Sequence, residues 1–315
     1  MTPRQAGKGG RRSSGGRTAA GTCGDPVGRS PGRSEALQAT AARLEEATLS
    51  YCKLCELEDF NRPELWPFLR EVFADVLRDV AAFPARKEHR KLWEIAMAAR
   101  ALTELGAVHD DAEILGVGAG HEATIYWLTT RVRRVFATDL YLEPGSWESD
   151  ASPTMLVDPG RNAPSHWNPR RLVVQHMNGL ELRYDDASFE GVFSSSAIEH
   201  FGGHEEVRRA AREMHRVLKP GGVAAISTEF RLRGPSPGLA DVLLLDEDEL
   251  RALVVGAANW QLASELSLET SARTLATELD FSSVLAGEAP LPHIVLADGD
   301  HAWTSVHLAL LKPSP

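Results

Sequence analysis

Short β-prone runs alternate with helical stretches along the chain after residue 112. The runs are Ala112–Val117, Val135–Thr138, Leu172–His176, Gly191–Ser195 and Val223–Thr228. Strands that alternate with helices form βαβ units, and these units build a parallel sheet with helices on both faces. The pattern therefore predicts an α/β fold with a doubly wound, mostly parallel sheet.

The end of the chain has a different pattern. His293–Ala297 and Thr304–Leu311 are two β-prone runs on either side of Asp298-Gly299-Asp300. Turn residues between two such runs indicate a β-hairpin. We therefore expect the last strand to run antiparallel to the others.

Before residue 106, apolar residues recur at spacings of three and four, which indicates helices. The three sets are Leu37, Ala41, Leu44, Thr48, Tyr51 and Cys55, then Leu69, Val72, Val76 and Val80, and then Leu92, Ile95, Ala99, Leu102 and Leu105. Pro63–Pro67 lies before the second set and Gly106 follows the third, as expected at helix ends. Residues 35–108 are thus predicted to form an N-terminal helical cap, and residues 109–315 the main domain.

Charge sets the first 34 residues apart. The chain has 315 residues and a net charge of -10, but residues 1–34 carry seven basic side chains and one acid, so the remainder is at -16. The Gly-, Arg- and Ser-rich tail has few large apolar residues, which predicts disorder. The acidic body argues against nucleic acid as a partner. No apolar run is long enough for a membrane span or a secretory signal, and three cysteines fit a reducing compartment, so we expect a cytoplasmic protein.

The first candidate for chemistry is a glycine-rich turn after the first predicted strand. It contains Gly116, Gly118 and Gly120 and leads through Glu122 into a helix. Such a turn lets a ligand approach the backbone closely. Asp139 lies 19 residues beyond Gly120, at the end of the second strand, where an acid can accept hydrogen bonds from ribose hydroxyls. This pairing predicts a nucleoside-binding site, which a nicotinamide-dependent dehydrogenase would also have.

Later segments favour one class. Asn178-Gly179-Leu180 follows the third strand, Ser194 and Ser195 end the fourth, and Arg216-Val217-Leu218-Lys219-Pro220-Gly221-Gly222 precedes the fifth. In this order the motifs resemble the class I S-adenosylmethionine-dependent methyltransferases, in particular the small-molecule methyltransferases with this Arg-to-Gly turn. The resemblance covers roughly residues 112–230 and implies a Rossmann-like fold with S-adenosylmethionine as cofactor.

The resemblance also implies roles for individual residues. The Gly116–Gly120 turn would pack against the methionine moiety, and Asp139, with Leu140 beside it, would hold the ribose. Asn178 and Gly179 would lie at the adenine edge and Leu180 on the ring. Ser194 and Ser195 would line the site beyond strand four.

Three positions depart from the family pattern. The family usually has an acid where this chain has Gly116, a third glycine where it has Glu122, and an aspartate where it has Asn178. Loss of the acid removes a usual anchor for the cofactor's ammonium group, for which Glu122 or Glu113 can substitute. Asparagine keeps an acceptor oxygen for adenine recognition.

Candidate catalytic residues follow strands four and five. His200 comes after strand four, and histidine suits deprotonation of a hydroxyl or amine near neutral pH. Glu229 ends strand five, where it can act as a base or orient an acceptor; a solvated or Arg-paired acid is the alternative for Glu229, as a structural role is for His200. Residues 141–171 contain five prolines, Trp147 and Trp167, and we expect them to form a lid over the acceptor site, with the helical cap as its other wall. His166 and Asp158 on this lid are further candidates for substrate contact or for the base.

These features predict methyl transfer to a small-molecule acceptor, at oxygen or nitrogen, of sugar, glycolipid or secondary-metabolite type. The alternatives are an NAD(P)-dependent oxidoreductase and a non-catalytic scaffold that kept the fold. No metal is expected. Cys52 and Cys55 lack a second pair for a zinc site, and one helix face accounts for both.

Overall fold

The computed structural model describes residues 48–73, 87–143, 151–163, 166–287 and 290–314. The predicted tail 1–34, the first part of the first predicted helix, Val76, Val80 and Trp147 lie outside these residues. The strands are β1 (Lys53–Leu54), β2 (Glu113–Val117), β3 (Arg134–Asp139), β4 (Leu172–His176), β5 (Phe189–Ser195), β6 (Leu218–Arg233), β7 (Gly238–Leu239), β8 (Val242–Leu243), β9 (Gln261–Leu262), β10 (Leu279–Asp280), β11 (Leu296–Asp298) and β12 (His301–Leu311). The α-helices are α1 (Trp66–Val72), α2 (Arg90–Glu104), α3 (Ala123–Leu128), α4 (Thr154–Val157), α5 (His204–Val217), α6 (Glu247–Leu253), α7 (Ala272–Leu275) and α8 (Phe281–Leu285).

The centre of the molecule is a mixed sheet. Strands β4, β3, β2, β5 and β6 lie side by side in that order, and each pair is parallel. The five β-prone runs of the sequence are these five strands. Because the strand order reverses direction at β2, the sheet is doubly wound, and the carboxyl ends of its parallel strands meet at one edge. That edge is where ligands of open α/β sheets bind.

The predicted terminal hairpin is confirmed. Strand β12 pairs antiparallel with β11 and with β6. Gly299 in the turn has φ +54, a conformation that suits glycine. The hairpin therefore adds antiparallel strands to one side of the parallel sheet.

Helix α2 contains the third predicted helical set. It contacts β5, β6 and β12, and α1 packs against it. Ten of its residues are buried, among them Arg90, Trp93 and Glu94. The described part of the predicted cap is thus packed onto the sheet, and Thr48–Pro315 form one compact unit.

The predicted helix through Tyr51 and Cys55 is wrong. Lys53–Leu54 is a strand that pairs antiparallel with β12, and the Cys55 N–H donates to the Ser305 carbonyl at 2.8 Å. A long neighbouring strand offers this segment hydrogen bonds that a local spacing pattern does not reveal. Both cysteines are buried and free.

The described part of the predicted lid contacts helix α3. Tyr126 donates to the Pro159 carbonyl at 2.9 Å, and its ring meets that of Trp167 edge to face. Among the described residues, no helix is both long and apolar enough to cross a membrane.

Candidate active site

A cavity of about 620 Å³ lies at the carboxyl edge of the sheet. Its volume falls within the range of about 300–1,000 Å³ that is typical of small-molecule sites. The cavity is lined by Lys91, Glu94, Ile95, Gly118, Ala119, Gly120, His121, Glu122, Asp139, Leu140, Glu143, Ala151, Met177, Asn178, Gly179, Leu180, Ser195, Ser196, Ala197, His200, Phe201 and Gly202. Most of the residues proposed from the sequence therefore meet at one place.

The glycine turn after β2 forms one side of this cavity. Gly118 and Gly120 have φ of +63 and +48, which other residues rarely adopt. A Cβ at Gly118 would lie 2.5 Å from the Cβ of Ala197. Both the backbone conformation and the lack of space thus require glycine at position 118.

Asp139 ties this turn to the end of β3. The N–H of Gly120 donates to Oδ2 of Asp139 at 2.8 Å, and the N–H of Leu140 donates to Oδ1 at 2.7 Å. The Tyr141 hydroxyl donates to the Gly120 carbonyl at 2.7 Å. The carboxylate that the sequence assigns to a ribose therefore also orients the turn.

Gly116 lies outside the cavity. A Cβ there would lie 2.6 Å from Cζ of Phe193 and 2.8 Å from the Cβ of Ala119. Gly116 and Phe193 are register partners on β2 and β5, so the aromatic ring occupies the space beside the glycine. Gly116 thus packs the sheet and does not touch the cavity.

The end of β4 supplies another side of the cavity. Oδ1 of Asn178 accepts from the Leu180 N–H at 2.9 Å, which forms a turn after the strand. A Cβ at Gly179 would lie 2.8 Å from the ring of Phe201. Phe201 lines the cavity and was not singled out from the sequence.

The segment after β5 brings His200 into the cavity. Nδ1 of His200 lies 2.9 Å from the Asp241 carbonyl oxygen. Because a carbonyl only accepts, Nδ1 carries the hydrogen of the neutral ring and Nε2 has the lone pair. Ser195 also lines the cavity, whereas Ser194 is fully buried and does not line it.

Glu199, the residue before His200, is buried. Its Oε2 accepts from the Thr228 hydroxyl at 2.9 Å. Burial, with a further contribution from the Glu229 carboxylate, raises the pKa of Glu199 to about 7.

Glu229 is an ion-pair partner, which agrees with the Arg-paired alternative and not with a role as a base. Both of its carboxylate oxygens lie 2.7 Å from Nη1 of Arg90, and Nζ of Lys91 lies 3.2 Å from Oε1. Burial alone would raise the pKa of Glu229, but the two cations outweigh burial and lower it to about 2. The residue is buried and does not line the cavity.

His166 is also remote from this site. It is exposed and does not line the cavity, and Asp158 is exposed as well. Of the described part of the lid, Glu143 and Ala151 line the cavity. The structure therefore does not bring His166 together with His200.

Helix α2 belongs to the predicted cap and contributes a side of the cavity, through residues that the sequence did not single out. Lys91, Glu94 and Ile95 line it, and Oε2 of Glu94 accepts from the Ser196 hydroxyl at 2.6 Å. Lys91 also contacts this hydroxyl. The three positions are spaced by three and four residues, so they share one helix face. That spacing was the available signal, but it was interpreted only as an apolar stripe.

The charged side chains around the cavity are mainly acidic. Among the described residues that line it, Glu94, Glu122, Asp139 and Glu143 are acids, and Lys91 is the lysine. Such a lining favours a cationic ligand and disfavours the diphosphate of a dinucleotide. The charge also fits the sulfonium and ammonium groups of S-adenosylmethionine.

A glycine turn after the first parallel strand, an acid after the second and a turn after the third all lie on one cavity. This is the arrangement that the resemblance to class I S-adenosylmethionine-dependent methyltransferases implies. A methyltransferase domain family matches residues 115–226. The chain therefore carries a methyltransferase domain of this class, and its cofactor is S-adenosylmethionine. The match sets aside the NAD(P)-dependent oxidoreductase.

Solved structures of low identity resemble the chain. The [4+2]-cyclase SpnF is 16% identical, with a TM-score of 0.47, over 78% of this chain and 94% of its own. A putative sarcosine dimethylglycine methyltransferase from Galdieria sulphuraria is 15% identical, with a TM-score of 0.44, over 79% and 98%. An S-adenosylmethionine-dependent methyltransferase from Mesorhizobium loti is 17% identical, with a TM-score of 0.42, over 67% and 95%.

Proposed function

We propose that this methyltransferase methylates a small molecule at oxygen or nitrogen, with His200 as the general base. The observation that carries the proposal is the position of His200. It lines the same cavity as the glycine turn and Asp139, and its Nδ1–H is held by the Asp241 carbonyl. This hydrogen bond leaves Nε2 able to accept a proton.

In the proposed cofactor site, the Asp139 carboxylate accepts from the ribose hydroxyls. Asn178 and Gly179 lie at the adenine edge, Leu180 packs on the ring, and Gly118 and Gly120 give the methionine end access to the backbone. Leu140 and Ser195 complete the lining. When bound, S-adenosylmethionine supplies an electrophilic methyl group.

The residues of the chain then position the acceptor and remove its proton. An oxygen or nitrogen nucleophile loses a proton as it gains the methyl group, and Nε2 of His200 takes that proton. Holding two reactants in one cavity supplies much of the rate, and a positioned base adds about 10²–10⁴-fold. A carbon nucleophile is the less favoured acceptor.

The cavity dimensions support a small-molecule acceptor, because about 620 Å³ lies within the range of small-molecule sites. Its acidic lining disfavours nucleic acid as a substrate. Free, buried Cys52 and Cys55 support a reducing, cytoplasmic environment.

The test replaces His200 with glutamine and follows transfer of a tritiated methyl group to a library of small hydroxylated and amino compounds. With an active acceptor, we expect His200→Gln to lower kcat by about 10²-fold or more, with cofactor affinity unchanged. His166→Gln is the matched control, because His166 is exposed outside the cavity. An unaltered kcat in His200→Gln would exclude His200 as the base.

A further inference from the structure

Glu122 occupies the position where the resemblance implies a third glycine, and its side chain does not cap the helix that follows it. It is the N-cap residue of α3, yet it makes no side-chain capping hydrogen bond. The residue instead lines the cavity, and its Oε1 is buried without a hydrogen-bond partner among the described residues. A buried carboxyl oxygen without a partner is costly, so it marks a place for a ligand donor.

The cation near Glu122, Lys91, also contacts other residues, so it is not a dedicated partner of the Glu122 carboxyl group. Glu94 on α2 is a second acid, and Lys91 on the same helix contacts Ser196 and Glu229. Tyr141 faces it from the end of β3. Burial raises the pKa of Glu122 to about 8, Glu94 adds to this rise, and the hydroxyls of Thr124 and Ser195 and the Lys91 ammonium only partly offset it. The raised pKa therefore favours the protonated form of Glu122 near neutral pH.

The two other positions considered for an acid near the methionine end, 116 and 113, cannot place a carboxylate in the cavity. Gly116 has no room for a side chain beside Phe193. Glu113 begins β2 at the opposite edge of the sheet, where it lies 3.8 Å from Arg133. Among the acids that the sequence offered as a substitute anchor, only Glu122 reaches the cavity.

We propose that Glu122 binds the ammonium group at the amino-acid end of the cofactor, and that its carboxyl proton passes to solvent as this ion pair forms. No other bond changes: the O–H bond of the carboxyl group breaks, the buffer takes the proton, and the carboxylate accepts hydrogen bonds from the ammonium group. The inference rests on the proposed cofactor site but not on His200 or on the acceptor. Cofactor binding is thus linked to pH through one residue.

Calorimetry on the full chain tests the proton release. Binding heats at pH 7 in two buffers of different ionisation enthalpy give the number of protons released. We expect nearly one proton with S-adenosylmethionine and with S-adenosylhomocysteine, and almost none with 5′-methylthioadenosine, which lacks the amino-acid end. Release with S-adenosylmethionine alone would instead assign Glu122 to the sulfonium, and equal release with all three ligands would overturn the proposal.

Glu122→Gln keeps the shape and removes the ionisation. Between pH 6 and pH 7, the wild-type affinity for S-adenosylhomocysteine should rise by about tenfold, as one released proton requires, whereas the variant should show no such rise. The variant should bind this ligand about tenfold more weakly at pH 7 and bind 5′-methylthioadenosine as the wild type does. Glu113→Gln is the matched control and should behave like the wild type. Proton release that persists in Glu122→Gln would refute the role of Glu122, while an absence of any binding would refute the cofactor site itself.

Discussion

Asp139 combines two roles at the scale of a single residue. Its carboxylate fixes the glycine turn through the Gly120 N–H, and in the proposed site it also accepts from the ribose. Two oxygens with several lone pairs can serve both roles. An acid at the end of the second strand therefore couples the shape of the turn to ligand binding.

We expect Asp139→Ala to weaken S-adenosylmethionine binding by about 1–3 kcal/mol, because charged hydrogen bonds are lost. Asp139→Asn, which keeps one acceptor oxygen, should lose less. Calorimetric titration measures both. Asp185→Ala removes an exposed carboxylate outside the cavity and is the control; equal affinities in all four proteins would show that the ribose assignment is wrong.

Glu229 illustrates how a residue at a catalytic position can have a structural role. Its removal leaves Arg90 buried without its closest partner, since Arg90 donates to both Glu229 oxygens. Breaking a buried ion pair from one side costs about 3–5 kcal/mol. We expect Glu229→Ala to lower the free energy of unfolding by that amount, as measured by urea denaturation. A variant that unfolds like the wild type but has lost kcat would restore Glu229 as a catalytic residue.

At the scale of elements, the packing of β2 against β5 explains one departure from the family pattern. Gly116 lies opposite Phe193, whose ring occupies the space that a side chain at 116 would need. The chain therefore has close strand packing at the position where the resemblance implies an acid. The anchor for the cofactor must then come from another element, which in our proposal is the start of α3.

Gly116→Ala should destabilise the fold by about 1–3 kcal/mol, because an inserted methyl group overpacks a filled site. In a Phe193→Leu background, which removes the ring atom nearest to the new Cβ, the same substitution should cost less. A double-mutant cycle by urea denaturation measures this coupling. If Gly116→Ala costs the same in both backgrounds, Phe193 is not what excludes a side chain there.

The sequence was sufficient to predict the strands and helices whose pattern lies within the element itself. The five parallel strands and the terminal hairpin were predicted because apolar runs and turn residues lie within each element, and the helix at Leu92–Leu105 because its period is long. Strand β1 was missed because it is stabilised by hydrogen bonds to β12, which is distant in the sequence. The roles of Lys91 and Glu94 were missed, and the arginine partner of Glu229 could not be assigned. The Arg90–Glu229 pair joins residues far apart in the chain, which spacing does not encode.

At the scale of the whole molecule, net charge and cavity charge agree in sign. Outside the predicted basic tail the chain carries a charge of -16, and the acids around the cavity outnumber its lysine. A cleft in which one sign of charge predominates favours a ligand of the opposite sign. The whole molecule therefore favours a cationic nucleoside over an anionic dinucleotide, although both fit a glycine turn followed by an acid.

Thermal unfolding in the presence of ligands tests this preference and the scaffold alternative together. A ligand that binds only the folded state at about 100 times its Kd adds about 2.7 kcal/mol of stability. We expect S-adenosylmethionine and S-adenosylhomocysteine to raise the unfolding temperature of the wild type, and NAD to leave it unchanged at the same concentration. Asp139→Ala should need more ligand for the same rise, because the stabilisation depends on the ratio of ligand concentration to Kd. If no rise occurs with S-adenosylmethionine at millimolar concentration, the cavity does not bind the cofactor and the non-catalytic scaffold becomes the better description; a rise with NAD alone would show that the acidic lining does not govern ligand choice.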